Sequence, residues 1–372
     1  YSPIQPGEDN WAEVTLHETA DRCQAQVALC RGGKTARQTL DAPLSGDDFQ
    51  REGIRRDANL DYICALLDEE YRVIGTGSCF GNTLRCFAVS SDHQGEGLLN
   101  QIITHLIEVQ CARGNLHLFL YTKVNSARFF GDLGFYEIAR VEDTLVFMEN
   151  RRDGFGSYLR ALEKTKTAGR SAALVMNANP FTLGHQYLVE TAAAACDTLH
   201  LFVVSEDASL VPFAVRKKLV AEGVKHLPNV VLHDSGPYII SNATFPSYFL
   251  KDEAAVIDGH ARLDLAVFTK IAKALNITAR YVGEEPTSQV TGLYNKIMAE
   301  QLPKAGIACV IVPRKQADGR AISASTVRRC LQSGDWAALA QLVPQTTLDY
   351  FQSDAAKPVL EKIRQAENVI HY

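Results

Sequence analysis

The sequence predicts an α/β protein with two domains: a mixed α/β domain, followed by a domain built on a parallel sheet. Between residues 61 and 150, strand-like apolar segments surround one long amphipathic helix. From Ser171 onward, short apolar strands alternate with helical segments, a pattern typical of parallel βαβ units. The length of 372 residues is enough for about two to three domains of ordinary size.

The composition indicates a folded globular protein, because 46% of the residues are hydrophobic and 22% are charged. The net charge of −5 argues against a protein that coats nucleic acid. No apolar run nears the roughly 18 residues of a membrane span, and the polar start has no hydrophobic signal core. Nine scattered cysteines without a CxxC motif predict reduced thiols rather than disulfides or a zinc site. We therefore expect a cytoplasmic protein that binds neither nucleic acid nor membrane.

The elements of the N-terminal domain, residues 1–150, are read from their apolar periodicity. A hairpin is predicted where the turn DEE separates YICALL from YRVIGTGSCF, and TLRCFAVS is a third strand. The long helix follows at LLNQIITHLIEVQCAR, with apolar residues at helical spacing. The strand LHLFLYT, a short helix and a final hairpin complete the domain, and the charged stretch 151–170 is predicted to be a helical linker. The pattern does not predict whether the first 60 residues pack on this domain.

The C-terminal domain is predicted over residues 171–345, with a helical extension over 346–372. Its strands include AALVMN, LHLFVVS, VVLH, ARYVG and CVIVP, and helical segments separate them. Ligands of such parallel sheets bind at the carboxyl ends of the strands. The segment NANPFTLGH directly follows the first of these strands, so a ligand is expected there.

Two segments of the N-terminal domain suggest a site for a phosphate-bearing ligand. In HQGEGLL, Gly95 and Gly97 allow a tight turn at the start of the long helix, where unpaired N–H groups and the helix dipole attract phosphate. A purely structural turn is the alternative. Together with NSARFFGDLGFYE, this loop resembles the GNAT acyltransferase family, whose pyrophosphate loop reads Q/R-x-x-G-x-G/A. The resemblance implies that a CoA-like group is bound by Gln94, Gly95, Gly97 and Asn125.

Two residues depart from that family's pattern. Leu99 replaces the last small residue of the loop, and it is expected to crowd the site. Phe130 stands where many members place a tyrosine that protonates the departing thiolate. A phenyl ring has no proton to donate, so this domain is expected to bind the CoA-like group without the usual acid.

The C-terminal domain carries the motif TLGH at residues 182–185, which resembles the H/T-x-G-H signature of the nucleotidylyltransferase superfamily. Attack on the α-phosphate of ATP develops negative charge that fixed donors must stabilise. Gly184 allows close approach to phosphate, while Thr182 and His185 supply a hydroxyl and an imidazole. The alternative is that Thr182 merely caps a helix and that His185 is a solvated surface residue.

A second motif, ISASTVR at residues 322–328, follows the last strand, where the superfamily has I-S-S-T-x-I-R. The resemblance implies a Rossmann-like domain that binds ATP with Mg²⁺. Ser323 and Ser325 would hold the β- and γ-phosphates, and the charge of Arg328 would offset theirs. His185, Thr182 and Arg328 are the predicted catalytic residues.

Four further residues are predicted to bind ATP. Asn177 and Asn179 precede TLGH and are expected to contact phosphate or acetate. Arg216 either reaches phosphate or lies on a solvated helix face. Glu284, with Glu285, either holds Mg²⁺ or adenosine or faces solvent. No residue is assigned to a dedicated metal site.

The pairing of these two domains resembles the citrate lyase ligase family, and so do the stretches SEDASLVPFAVRKKLV, SGPYIISNATFPSYFLK and GEEPTSQVTGLYNKIM. The resemblance implies that ATP and acetate form acetyl-adenylate and pyrophosphate. The acetyl group would then pass to the thiol of a dephospho-CoA-type prosthetic group on the acyl carrier (gamma) subunit of citrate lyase. One alternative is a pantetheine-phosphate-type adenylyltransferase with an accessory GNAT domain, and another is a non-catalytic nucleotide-binding regulator.

Overall fold

The computed structural model describes residues 11–19, 22–31, 34–40, 60–67, 73–93, 95–206, 209–239, 253–284, 289–317, 319–366 and 369. The chain divides into two compact units. The first comprises residues 1–154 and 246–259, and the second comprises 155–245 and 260–372. The domain boundaries drawn from the sequence at residues 150, 170 and 345 stay predictions.

The first unit is built on a mixed sheet with nine strands among the described residues, in the order β3-β2-β1-β4-β5-β6-β7-β9-β8. Every neighbouring pair is antiparallel except β6 and β7, which are parallel. The strands are β1 (Trp11–Thr19), β2 (Arg22–Arg31), β3 (Lys34–Leu40), β4 (Tyr62–Leu67), β5 (Val73–Phe80), β6 (Thr83–Val89), β7 (Phe119–Thr122), β8 (Tyr136–Val141) and β9 (Leu145–Glu149).

The two hairpins and the mixed α/β class predicted for this unit are confirmed. The structure adds strands β1 to β3, which the sequence pattern did not predict. They extend the same sheet, because β1 pairs antiparallel with β4 from Trp11↔Leu66 to Glu13↔Cys64. The described residues from Trp11 to Thr19 are therefore part of this sheet.

The predicted long helix is α1 (Leu98–Ala112), and it packs closely on β5. A Cβ atom added to Gly77 would lie 2.4 Å from Cγ2 of the fully buried Ile102. Close packing of this kind leaves no room for even one methyl group, so glycine in β5 sets the distance between helix and sheet. The short helix α2 (Ala127–Asp132) adds Ala127 and Phe130 to the same core.

The parallel pair β6–β7 is short. Its ladder consists of Thr83↔Phe119 and Leu84↔Leu120, although β6 continues to Val89. Cys86 has a positive φ of 52°, and the register between β5 and β6 shifts between Thr76 and Ser78. A bulge of this kind bends a strand, so the carboxyl-terminal part of β6 leaves the ladder with β7 just before the glycine loop that begins α1.

The described residues of the second unit contain a parallel sheet of five strands in the order β12-β11-β10-β13-β14. This order and the parallel pairing confirm the predicted Rossmann-like domain. The strands are β10 (Ser171–Met176), β11 (Thr198–Val203), β12 (Val230–Asp234), β13 (Ile277–Gly283) and β14 (Ala308–Val312). The helices between them are α4 (Leu183–Ala194), α5 (Phe213–Val224), α6 (Glu253–Leu275), which belongs to this unit from His260 onward, and α7 (Gln289–Gln301).

Helices cover both faces of this sheet. On one face Leu199, Leu201 and Val203 pack with residues of α4 and α5, such as Val189 and Val220. The neighbouring strand residues point the other way, since side chains of a strand alternate. On that face the guanidinium of Arg280 lies 4.3 Å from the centre of the Phe268 ring in α6. Both faces are thus buried, as parallel sheets require.

The segment 151–170, predicted to be a helical linker, contains helix α3 (Gly154–Glu163). Its Phe155 ring lies 4.9 Å from that of Tyr238, and the Tyr158 hydroxyl donates to the Asp234 carbonyl over 3.2 Å. These contacts fix α3 to the second unit.

After β14, the described residues form a small hairpin, β15 (Gln316–Ala317) and β16 (Arg320–Ala321), and then four α-helices. They are α8 (Ala324–Ser333), α9 (Trp336–Ala340), α10 (Gln345–Gln352) and α11 (Lys357–Gln365). These helices share a core with the loop after β11: Leu210 and Val211 pack together with Leu331, Phe351 and Ile363. Of the helices that the structure describes, none combines the length and apolar character needed to cross a membrane.

Candidate functional site

The loop between β10 and α4 forms the floor of the candidate site. It contains Ala178, buried with a positive φ of 51°, and a cis peptide bond between Asn179 and Pro180. The fully buried Phe181 anchors the loop, because a Cβ atom added to Gly223 of α5 would lie 2.3 Å from its ring. The loop is therefore held at the carboxyl end of the first strand of the sheet.

Thr182 and His185 form a reciprocal cap at the start of α4. The Thr182 hydroxyl accepts from the His185 backbone N–H over 3.2 Å, and the Thr182 backbone N–H donates to Nδ1 of His185 over 3.1 Å. Since Nδ1 is an acceptor, the proton of the neutral imidazole is on Nε2. The capping interpretation of Thr182 is correct. The cap also leaves the Nε2–H of His185 as the donor that a ligand can use.

His185 is only half-buried, but its surroundings favour the uncharged ring. Burial, followed by the positive charge of Arg314, lowers the pKa of His185 to about 4. Desolvation and a like charge both disfavour the imidazolium. The side chain therefore acts near pH 7 as a neutral hydrogen-bond donor.

The two sequence motifs meet at Gly184. A Cβ atom added there would lie 3.3 Å from the Ile322 carbonyl oxygen and 3.6 Å from Cβ of Ile322. The close approach that Gly184 provides is thus to the backbone of the second motif. Helix α8, which follows that motif, therefore begins close to the first turn of α4.

The hydroxyl groups of the second motif cluster at the start of α8. Ser323 caps this helix by accepting from the Thr326 backbone N–H over 3.1 Å. Its oxygen also lies 2.9 Å from the Ser325 hydroxyl and 2.8 Å from that of Thr326. The first N–H groups of a helix and a group of hydroxyls together suit phosphate oxygens. ATP binding by Ser323 and Ser325 stays a prediction.

Arg216 is fully buried on α5, so its alternative placement on a solvated helix face is wrong. Its Nη1 donates over 2.8 Å to the backbone carbonyl and to Oδ1 of Asn177, and to the Val204 carbonyl. Its Nε donates to the Val211 carbonyl over 3.0 Å, and its Nη2 donates to the Glu206 carbonyl. The guanidinium therefore joins the ends of β10 and β11, and its predicted contact with ATP stays untested.

Arg328 holds the same loop from the other side. It is buried, and its Nη1 donates to the Asn179 carbonyl over 2.6 Å while its Nε donates to the Val369 carbonyl over 2.5 Å. Burial lowers its pKa to about 10, so the group is charged near neutral pH. The bonds to two backbone carbonyls show a positioning function, while the predicted catalytic function stays a prediction.

The two asparagines differ in exposure. Asn177 is exposed, and its Nδ2 donates to the Ser209 hydroxyl over 3.0 Å. Asn179 is buried, and its Oδ1 accepts from the Val211 backbone N–H over 3.0 Å. Among the described residues, no group accepts from its Nδ2. A buried unpaired donor costs about 1–3 kcal/mol, so this amide is suited to an acceptor supplied from outside the described chain.

Glu284 is exposed just after β13, and Glu285 lies outside the described residues. The Glu284 carbonyl accepts from Nε of Arg314 over 2.7 Å. Periodicity gave no signal for Arg314, because it lies in a loop outside both motifs. Within the described ranges no group of three metal-ligating side chains occurs. A Mg²⁺ ion bound mainly by phosphates and water needs only one or two carboxylates, and Glu284 fits that requirement.

In the first unit, Gly95 and Gly97 both have positive φ, at 92° and 75°. Gly97 is the N-cap of α1 and has no side chain that could bind the first N–H groups. Asn125 is exposed before α2, whereas Gln94 lies outside the described residues. The predicted binding of a CoA-like group by these residues stays a prediction.

The two departures from the acyltransferase pattern both lie at the core of the first unit. Leu99 packs against this core, so its side chain lies towards the core and does not crowd the loop. Phe130 is buried, with its ring 5.5 Å from Phe87 and 6.4 Å from Phe135. Phe130 is thus a core residue here.

We expect Arg216→Met to lower the free energy of unfolding by at least about 3 kcal/mol, because several buried carbonyls would lose their donor. Urea titration measures the loss. Lys217→Met is the matched control, since Lys217 pairs on the surface with Asp234 at 2.7 Å, and such pairs contribute about 0–1 kcal/mol. Equal losses for the two variants would contradict the conclusion that Arg216 holds the ends of β10 and β11 together.

We expect the His185 ring to stay neutral, with its proton on Nε2, from pH 8 down to about pH 5, because its pKa is about 4. The unfolded histidine binds its proton near pH 6.5, so the stability contributed by this group falls between about pH 6.5 and 4. Nitrogen NMR of labelled histidine, assigned with His185→Gln, measures both. A midpoint above about pH 6 would show that the ring is not desolvated.

Known proteins resemble this chain over most of its length. A family model described as the citrate lyase ligase C-terminal domain matches residues 171–351. A citrate (pro-3S)-lyase ligase of Klebsiella pneumoniae is 43% identical over 294 residues, which cover 77% of this chain and 86% of that protein. Those of Haemophilus influenzae and Escherichia coli are 38% and 39% identical, and each alignment covers 82% of this chain. The alignments cover 93% and 86% of those two proteins. The chain therefore belongs to the citrate lyase ligase family of enzymes.

Proposed function

We propose that this enzyme activates citrate lyase. It would use ATP to acetylate the thiol of the dephospho-CoA-type prosthetic group on the acyl carrier (gamma) subunit of the lyase. One observation supports the first, ATP-dependent step most strongly. Gly184 lies against Ile322, which brings the TLGH and ISAST motifs together at the ends of parallel strands. Family membership does not favour an adenylyltransferase that acts on a phosphate acceptor, or a non-catalytic regulator.

In the first step a carboxylate oxygen of acetate attacks the α-phosphorus of ATP. The bond between this phosphorus and the bridging oxygen to the β-phosphate breaks, and acetyl-adenylate and pyrophosphate form. His185 donates its Nε2–H to an α-phosphate oxygen, where negative charge develops. The N-terminus of α8, with Ser323 and Ser325, holds the β- and γ-phosphates.

Other residues of the site hold this arrangement. Arg216 and Arg328 fix the loop between Asn177 and Thr182 by their bonds to its carbonyls. Nδ2 of Asn179, which has no acceptor among the described residues, supplies one further donor for phosphate or acetate. Mg²⁺, when bound, would offset part of the polyphosphate charge, and Glu284 is the carboxylate that we assign to it.

In the second step the thiol sulfur attacks the acetyl carbon of the adenylate. The bond from this carbon to the phosphate oxygen breaks, AMP leaves, and the thiol proton passes to solvent. AMP is a good leaving group, so no side-chain acid is needed and a phenylalanine at position 130 is tolerated. Gln94, Gly95, Gly97 and Asn125 would bind the nucleotide part of the prosthetic group at the start of α1.

The cytoplasm is the compartment that we propose for this reaction. Cys111 is an exposed free thiol and Cys330 a partly exposed one. Thiols of this kind persist in a reducing compartment, and the substrate thiol of the prosthetic group needs the same condition.

The function is tested by incubating the deacetylated carrier with ATP, acetate and the enzyme, and by measuring the carrier mass. We expect a gain of one acetyl group with the wild type. With His185→Ala we expect the rate to fall by about 10²–10³-fold, because one donor to the transition state is lost. An unmodified carrier with the wild type would refute the function. Pyrophosphate exchange into ATP that responds to a phosphorylated acceptor, and not to acetate, would favour the adenylyltransferase.

The assignment of prosthetic-group binding to the start of α1, and of ATP chemistry to the TLGH and ISAST motifs, is tested with Gly97→Ala. Alanine is strained at a φ of 75°, so the first turn of α1 should deform and carrier acetylation should slow by at least about tenfold, equal to 1.4 kcal/mol. Acetate-dependent exchange of pyrophosphate should be unchanged. Gly131→Ala is the control, because nothing lies within 4 Å of a Cβ atom there and its φ is not positive. An equal loss of acetate-dependent pyrophosphate exchange in Gly97→Ala would contradict the separate assignment of the two steps.

A further inference from the structure

The segment that follows β14 is fixed at both of its ends. Nε of Arg314 donates to the Glu284 carbonyl over 2.7 Å, and the Glu284 backbone N–H donates to the Val312 carbonyl over 2.8 Å. The Lys315 carbonyl accepts from the Ile322 backbone N–H over 3.0 Å. Ile322 in turn lies against Gly184. Arg314 and Lys315 are therefore held between the end of β13 and the junction of the two motifs.

Both cations of this segment lie near the first turns of α4. Nζ of Lys315 lies 5.9 Å from the ring centre of Tyr187, two residues after His185. Burial, followed by the positive charge of Arg314, lowers the pKa of His185, which agrees with the position of this segment beside Glu284 and Ile322. Arg314 is half-exposed and Lys315 is exposed, so a ligand at the start of α4 can approach both.

The triphosphate of ATP needs positive charge from the protein, and the arginines predicted for this purpose are engaged elsewhere. Arg216 and Arg328 are buried, and their nitrogens donate to backbone carbonyls and, from Arg216, to the Asn177 side chain. His185 is neutral near pH 7 because its pKa is about 4. Arginine binds phosphate with two parallel N–H donors, which lysine cannot do. Among these groups, Arg314 has the charge, the exposure and the position.

We propose that Arg314 is a phosphate-binding residue of the site, whose guanidinium contacts the α-phosphate of the nucleotide next to His185. The proposal rests on the proposed function for the identity of the nucleotide. It separates two tasks at one phosphate: His185 supplies a neutral hydrogen-bond donor, and Arg314 supplies charge. The carbonyl of Glu284 orients the guanidinium by accepting from its Nε.

The test compares the binding of AMP and of adenosine to the full chain by calorimetry, in wild type, Arg314→Gln and Lys315→Gln. We expect Arg314→Gln to weaken AMP binding by about 10- to 100-fold, the size of a hydrogen bond to a charged group, and to leave adenosine binding unchanged. Lys315→Gln removes the same net charge one residue away, and we expect it to change AMP binding by less than about threefold because exposed charges are screened.

A structural effect of the substitution would weaken AMP and adenosine binding alike, and that result would overturn the proposal. Equal AMP affinity in wild type and Arg314→Gln would overturn it too, while leaving the proposed function intact. A wild type that binds AMP, ATP and adenosine with no measurable affinity would instead refute the proposed function. Should Arg314→Gln fail to fold, Arg314→Lys serves: it keeps the charge, loses the paired donors, and should weaken AMP binding selectively.

A second readout examines the position of Arg314 without any nucleotide. Removing a positive charge next to an imidazole raises the imidazole pKa. We therefore expect the NMR titration midpoint of His185 to move upward in Arg314→Gln and to stay in place in Lys315→Gln. An unchanged midpoint in Arg314→Gln would show that the guanidinium is not beside His185, and it would overturn the proposal.

Discussion

The hydrogen bonds of the buried Arg216 guanidinium are the interaction on which the site depends. A charge away from water is tolerated only where acceptors surround it. Here the acceptors are the carbonyls of Asn177, Val204, Glu206 and Val211, together with Oδ1 of Asn177. These carbonyls lie where β10 and β11 end, so satisfying one cation dictates how both loops leave the sheet. The path of the chain towards Thr182 follows from this constraint, and Arg328 fixes it at a second point through the Asn179 carbonyl.

The same constraint explains how the part of the chain after α8 is linked to the candidate site although we assign no ligand to it. Arg328 bonds to the carbonyls of both Asn179 and Val369. Nζ of Lys362 on α11 donates to the Ser209 carbonyl over 3.1 Å, and Ser209 bonds in turn to Asn177. Packing of the last helices is therefore linked, through backbone carbonyls, to the loop that carries the candidate catalytic residues. A change in these helices would therefore act on the loop first, and not directly on the residues that we propose for phosphate binding.

The order of strands and helices was predictable because it depends on local apolar periodicity. TLGH and ISAST indicated a candidate site because both follow strands of one parallel sheet. Three features were not predictable for definite physical reasons. Strands β1 to β3 join the sheet through pairing between distant segments, which local pattern does not encode. Arg216 occupies a helix position where a charged residue usually indicates solvent, and only its burial against carbonyls shows otherwise. Arg314 lies in a loop whose position is set by two hydrogen bonds: Nε of Arg314 donates to the Glu284 carbonyl, and the Lys315 carbonyl accepts from the Ile322 backbone N–H.

The neutral state of His185 has a consequence for how charge is distributed in the site. Its Nδ1 accepts from the Thr182 backbone, so the tautomer is fixed by the helix cap and does not depend on a bound ligand. A pKa of about 4 keeps the Nε2–H donor in place across the physiological pH range, but it also removes histidine as a source of charge. Phosphate binding then requires a cation that does not titrate, and a guanidinium meets this requirement because it stays protonated in proteins. A protonated histidine would provide both a charge and a donor, but with a pKa of about 4 the ring is protonated only in acid. When the hydrogen-bond donor is on His185 and the positive charge is on a guanidinium, the helix cap fixes the first and separate contacts fix the second.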